Sequence, residues 1–201
     1  MCSRYALNCA PMDLVHRYGL TAPPRSPLPI PVIRPTDAAP VVKGGSGVLL
    51  RKHFGIPSRK DGKPLINARS ETLAEKPTFR RLLDNRVLVP ATAYFEWRKD
   101  GKAKHRNTIA PGQGDPEPRG EVALFSFAAL FEGEHFTIIT GDPSPPIAHV
   151  HDRMPLILPR EAEALWLSDA PFAAVAHLLR PYDGPIAAVE DAPAGPGGLF
   201  D

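Results

Sequence analysis

The sequence predicts an α+β domain: an antiparallel sheet or open barrel with short flanking helices. Three observations carry that expectation. Strand-like runs are mixed with helical ones without regular alternation, which argues against a doubly wound fold. The helical patterns are short, and most have a proline near their start. The chain also holds 25 prolines in 201 residues, which favours loops, extended chain and edge strands. A chain of this length suits one domain with its own core, expected over 1–191. The proline- and glycine-rich tail, 192–201, is expected to be disordered.

Taken in order, APMDLVHRYGL predicts a short helix, with Pro11 at its start, Leu14, Val15 and Tyr18 on one side, and Gly19 as its stop. The alternate prolines of TAPPRSPLPIPVIRPTDAAP forbid helix and predict an extended loop laid over the domain. KGGSGVLLRKHFGIPS reads as a tight turn and a strand, and EKPTFRRLLDNR as a short helix burying Phe79, Leu82 and Leu83. VLVPATAYFEW is β-branched and aromatic, hence strand, with Pro90 demanding an edge or a bulge. The stretch 99–121 reads as a long polar hairpin loop. EVALFSFAALFEGEHFTIIT predicts two strands turning at Glu132–Glu134. MPLILP is a further strand, two helices with proline near their starts follow, with Trp166 as core on the first, and GPIAAV is the last strand.

No apolar run approaches the ~18 residues of a membrane span. Two cysteines make no disulfide framework, so a reduced, cytoplasmic, monomeric protein is expected. Charge is unevenly placed. Residues 51–106 hold fifteen Lys/Arg against six Asp/Glu, although the net charge is only +2. Such a basic middle offers a face to polyanions, or is simply a solvated surface.

The residue after the initiator stands apart. Methionine aminopeptidase removes Met1 when a small residue such as cysteine follows, leaving Cys2 with a thiol and a free α-amine on neighbouring carbons. Their reference pKa values, about 8.5 and about 7.7–8.0, leave both partly deprotonated near neutrality. Such a residue can transfer acyl groups or capture an aldehyde. Its bland alternative is an accident of a frayed terminus.

Four stretches, MCSRY, INARSET (66–72), ATAYFEW (91–97) and HVHDRMP (149–155), together resemble the SRAP (SOS response-associated peptidase) family. Its members begin Met-Cys-Gly-Arg and carry an Asn-Ala-Arg-Ser-Glu-Thr motif, an aromatic-Glu-Trp strand end and a His-x-Arg-Met-Pro motif. The resemblance runs from residue 2 to about residue 158. It implies a sensor of abasic sites in single-stranded DNA that crosslinks the ring-opened sugar aldehyde through Cys2. The family's name reflects a peptidase activity using the same nucleophile.

By that resemblance Asn67 orients the sugar or the Cys2 amine, Glu96 moves protons during capture, and His151 helps the closed sugar open. The structural alternatives are a turn residue, an exposed strand end and a core histidine. Arg4, Arg69, Arg80 and Arg153 would hold phosphates, Trp97 would stack on a base, and Thr140 is what remains of a Thr-x-x-Ala-Asn stretch. His149 and His151 read as one strand face, but Asp152 and Cys9 complete no recognisable metal spacing, so no metal or cofactor is expected. The chain departs from the family in reading HFGIPSR where members have Trp-Gly-Leu-Ile-Pro-Ser-Trp, which leaves Phe54 as the aromatic at the wedge position. Ser3 replaces the glycine after Cys2. The rival readings are an N-terminal-nucleophile cysteine peptidase and a non-catalytic single-strand-binding module.

Overall fold

The computed structural model describes residues 2–24, 27–44, 47–112 and 123–192. Strand β1 (Arg4–Leu7) leads into helix α1 (Pro11–Tyr18). Pro11 takes the first helical position, where its missing N–H costs nothing, and the Asp13 carboxylate accepts the Ala10 N–H at 2.6 Å. The helix ends at Gly19, as expected. The proline-rich run is extended but is more than a covering loop, for it supplies β2 (Ile30–Ile33) and β3 (Ala38–Lys43). Pro31 lies in an edge strand, and Pro40 lies where β3 is paired on one side only. Strand β4 (Val48–Phe54) returns along β3. A small hairpin of β5 (Ile56–Pro57) and β6 (Pro64–Leu65) precedes β7 (Asn67–Arg69), a 3-10 turn at Ser70–Thr72 and the single turn α2 (Pro77–Arg80).

The expected strand over 87–97 is two, β8 (Arg86–Ala91) and β9 (Ala93–Asp100), broken at Thr92, whose N–H donates to Ala6 O. Pro90 pairs with Ser126 of β11 but sits beyond the reach of the β3 pairing, so β8 is an edge on that side where the proline falls. The expected polar loop is in large part strand. β9 turns tightly at Gly101, at φ 57°, into β10 (Ala103–Pro111). An L side chain is disfavoured at that backbone angle, so glycine makes the turn. The remainder of that stretch, 113–122, and the tail from 193 onward lie outside the described residues.

Strands β11 (Phe125–Glu132) and β12 (His135–Gly141) form the expected hairpin. MPLILP is split into β13 (Met154–Pro155) and β14 (Ile157–Leu158), which pair with β12 and β11 respectively. Helices α3 (Arg160–Trp166) and α4 (Phe172–Val175) and the last strand β15 (Ile186–Glu190) follow as read.

Strands β3, β4, β12, β11 and β8 close into a barrel, antiparallel except for β4 against β12. The expected α+β class holds, with the barrel closed rather than open. A five-stranded sheet, β15-β10-β9-β1-β2, packs against it. Because side chains alternate along a strand, the barrel strands bury both faces. Phe54, Phe127, Phe136 and Ile138 share one core with Tyr5, Leu7 and Tyr94 of the sheet, while Leu88, Leu130 and Ile139 pack with Trp166 and Val175. Trp166 is core as expected, and its indole N–H donates to Val87 O at 3.1 Å.

Two edges of one strand position the site. At its C-terminal end β12 pairs with β7 on one side and β13 on the other, so that Thr140 lies between Arg69 and Pro155. A Cβ at Gly141 would stand 2.6 Å from a Leu156 methyl, so a larger residue there would have to move that side chain.

Candidate functional site

Strand β1 runs antiparallel to β9, with Arg4 opposite Phe95 and Tyr5 opposite Tyr94. Cys2, two residues before β1, comes close enough to Glu96 for the carboxylate charge to act on its thiol. Cys2 is fully buried, and its thiol donates to Arg4 O at 3.6 Å. Burial, reinforced by the negative charge of Glu96, pushes the thiol far above its ordinary range. The reference value does not apply here, and at neutral pH the thiol rests protonated.

Glu96 lies within β9 rather than at its end, and it is only 3% exposed. Burial pushes its carboxyl up to about 7, and the negative charge of Asp152 works in the same direction. Flanked by Phe95 and Trp97, it therefore sits poised between acid and base near neutrality.

His151 is not on a strand. It and the exposed His149 follow the 3-10 turn Pro145–Ile147, in the loop between β12 and β13. Its Nδ1 accepts the Arg153 N–H at 3.0 Å and lies 2.8 Å from an Asp152 oxygen. The two neighbours ask for opposite states of Nδ1: accepting from Arg153 needs it bare, whereas donating to Asp152 needs it protonated, in the other neutral tautomer or the cation. Burial lowers the His151 pKa, with Lys99 assisting and Asp152 opposing, which favours the neutral ring at pH 7.

A cleft of about 580 Å³ brings Glu96 and His151 together, lined by Ser3, Arg4, Glu96, Trp97, Lys99, Lys104 and His151, with the buried Cys2 one residue before its lining begins at Ser3. The Arg4 guanidinium lies over the Trp97 ring, 5.1 Å from its centroid. Lys99 and Lys104 face one another across the β9–β10 hairpin. Like charges directly opposite are unfavourable, so an anion between them would relieve the pair. Neither lysine had been singled out from the sequence. The Asp-Gly turn in KDGK, with basic residues at alternate positions on either side, was the signal.

The other expected site residues do not line the cleft. Asn67 is in β7 rather than in a turn. Its Nδ2 donates to Ile66 O at 3.0 Å, and its buried Oδ1 has no donor among the described residues. Arg69 and Arg80 are exposed but do not line the cleft. The Thr140 side chain is fully buried in β12, so it does not face a ligand at the surface. Arg153 is 13% exposed and is held by Glu71 at 2.6 and 2.8 Å, Asp142 at 3.2 Å and Thr140 O at 2.9 Å. Phe54 is buried and stacked on Phe136, with ring centroids 5.2 Å apart, and so is not available as a surface wedge. Among the described residues, no three or more His, Cys, Asp or Glu side chains gather as a metal site.

This arrangement has relatives. Over 205 residues the chain is 33% identical to the abasic site processing protein YoaM of Bacillus subtilis, covering 91% of this chain and 87% of that protein. It is 35% identical over 108 residues to the abasic site processing protein YedK of Escherichia coli, covering 53% of this chain and 49% of that one. A crystal structure of a protein from Bacteroides thetaiotaomicron superposes with a TM-score of 0.81 at 27% identity, covering 96% of this chain and 93% of the other. The family model described as SOS response associated peptidase (SRAP) matches residues 1–192, and the chain belongs to that family.

Proposed function

We propose that the protein recognises abasic sites in single-stranded DNA and captures them covalently through Cys2 once Met1 has been removed. The observation that carries this reading is that Glu96 and His151 line one cleft with a cationic and aromatic rim, and that the Glu96 charge acts on the buried Cys2 thiol next to Ser3 of that lining. The names of the relatives support the substrate. The freed α-amine condenses with the sugar aldehyde, and water leaves. The sulfur then adds to the imine carbon, and the thiol proton passes by way of Glu96 to the nitrogen, closing a five-membered thiazolidine. A carboxyl poised near pH 7 beside a protonated thiol suits that transfer. Neutral His151 serves as the group that takes the proton from the sugar hydroxyl as the ring opens. The reverse sequence, with water attacking the same carbon, returns the aldehyde and free Cys2.

In this reading Arg4, Lys99, Lys104 and Trp97 grip the strand beside the lesion, with Arg69 and Arg80 on a longer phosphate path, and the protein works in the cytoplasm at DNA. The test is a denaturing gel with an abasic single-stranded oligonucleotide. Wild type is expected to give a denaturation-resistant adduct and Cys2→Ala none. An undiminished adduct in Cys2→Ala would overturn the nucleophile, and turnover of a peptide without DNA would instead favour a peptidase.

A further inference from the structure

From its resemblance to family members Arg153 is a phosphate contact, yet its guanidinium is already filled. Nη1 donates to Glu71 Oε1 at 2.6 Å and to Asp142 Oδ1 at 3.2 Å, and Nη2 donates to Glu71 Oε2 at 2.8 Å and to Thr140 O at 2.9 Å. Four acceptors meet the four Nη hydrogens. The remaining donor, Nε, is buried without an acceptor among the described residues. A phosphate could enter only by displacing a carboxylate.

What this guanidinium joins is more informative. Glu71 belongs to the 3-10 turn after β7, and Thr140 belongs to β12. Arg153 therefore ties the INARSET stretch and β12 to the residue where the loop from β12 re-enters the sheet. The backbone N–H of that same residue donates to His151 Nδ1. Two-pronged arginine–carboxylate pairing fixes direction as well as distance, which a lysine cannot reproduce. The loop 142–152 is anchored upstream by Ser144 and by the buried Ile147 and Val150, and the bond from the Arg153 N–H acts on the His151 ring itself.

We propose that Glu71 is a positioning residue for His151, acting through Arg153, whose fork orients the segment that carries the imidazole. The proposal rests on the role given above to His151, so its test has one arm that needs no DNA. In the free protein, nitrogen NMR of the His151 ring reads whether Nδ1 is the bare acceptor. Wild type is expected to show one neutral tautomer with Nδ1 unprotonated, and Glu71→Ala and Arg153→Lys to show a mixture. Glu71 is 46% exposed in its side chain, so its truncation leaves the core untouched.

The second arm measures adduct formation at saturating abasic DNA together with affinity and its salt dependence. Both variants should form adduct about 10- to 100-fold more slowly, with affinity and salt slope unchanged. Arg153→Lys is decisive, because it keeps the charge and loses the fork. An unchanged ring tautomer in both variants would overturn the positioning role. So would normal rates in Arg153→Lys combined with a flatter salt slope in Arg153→Ala, which is the signature of a phosphate contact. If wild type formed no adduct while the tautomer still responded, the positioning would stand and the abasic-site reading would fall.

Discussion

Side chains alternate along β9, so Tyr94 and Glu96 turn toward the side that holds Cys2, whereas Phe95, Trp97 and Lys99 turn the other way. On the first side everything is dry. Tyr94 is fully buried, Glu96 is nearly so, and burial raises both of their pKa values as well as that of the Cys2 thiol. On the second side cations lie on aromatic rings, Arg4 over Trp97 and Arg106 over Phe95 at 4.1 Å, and the exposed Lys99 stands opposite Lys104. Beyond Phe95 no β1 residue pairs with β9, and the cleft wraps around that bare edge to touch both sides. One strand thus separates two tasks. Moving a proton at neutral pH needs a low-dielectric setting that shifts a carboxyl toward 7. Holding a polyanion needs cations that keep their water until the ligand arrives.

The comparison is most sharply broken on the dry side. Glu96→Gln should slow adduct formation by about 10²- to 10⁴-fold, the usual worth of a positioned acid–base group, with little change in DNA affinity. The same variant should alter stability in a defined direction. The Glu96 pKa is raised from 4.5 to about 7 on folding, so the folded protein binds the extra proton between those values. The resulting stabilisation is fully present below pH 4.5 and is lost as pH rises through 7. Denaturant titrations should therefore show wild-type stability falling across that window, by an amount on the order of 1–3 kcal/mol, and Glu96→Gln should flatten the fall. A variant with an unchanged pH slope would place the titration elsewhere.

Smaller effects belong to the wet side. Trp97→Ala should weaken single-strand binding by about 1–3 kcal/mol if the ring stacks on a base. Replacing Lys99 and Lys104 by alanine should flatten the log–log salt dependence by about 0.7 for each lysine, for all base sequences alike. Neither change should slow capture at saturating DNA. A rate defect without an affinity defect would erase the distinction between the two sides.

How far the sequence could be read follows the same division. Helix α1, the β11–β12 hairpin and the core position of Trp166 were legible, because apolar spacing carries them, whereas the exposed strand end weighed for Glu96 is a buried position within β9. Strand β10 was not. Its residues Lys104, His105, Arg106 and Asn107 show no apolar alternation, since one side is cationic and the other is held by ions: His105 and Arg98 both pair with Glu190 of β15, far along the chain. β2 and β3 hid behind their prolines for want of any sign that those positions would be edges. For the site, local motifs brought Cys2, Glu96, Trp97 and His151 into view. The engagement of Arg153 by Glu71, 82 residues away, and the burial of Thr140 and Phe54 are tertiary facts that no local pattern encodes.

The central claim is that Cys2 reacts as an aminothiol and not as a thiol alone, and the state of its nitrogen tests this most directly. A variant with one residue appended before Cys2, resistant to removal, has an amide there, whose lone pair is delocalised and forms no imine. Intact-mass measurement verifies each form, and both are then incubated with abasic single-stranded DNA and heated in denaturant. The processed protein should give a heat-stable adduct, while the blocked form binds the strand with near-normal affinity and gives none. A heat-stable adduct from the blocked form would contradict the account and leave Cys2 acting through sulfur alone.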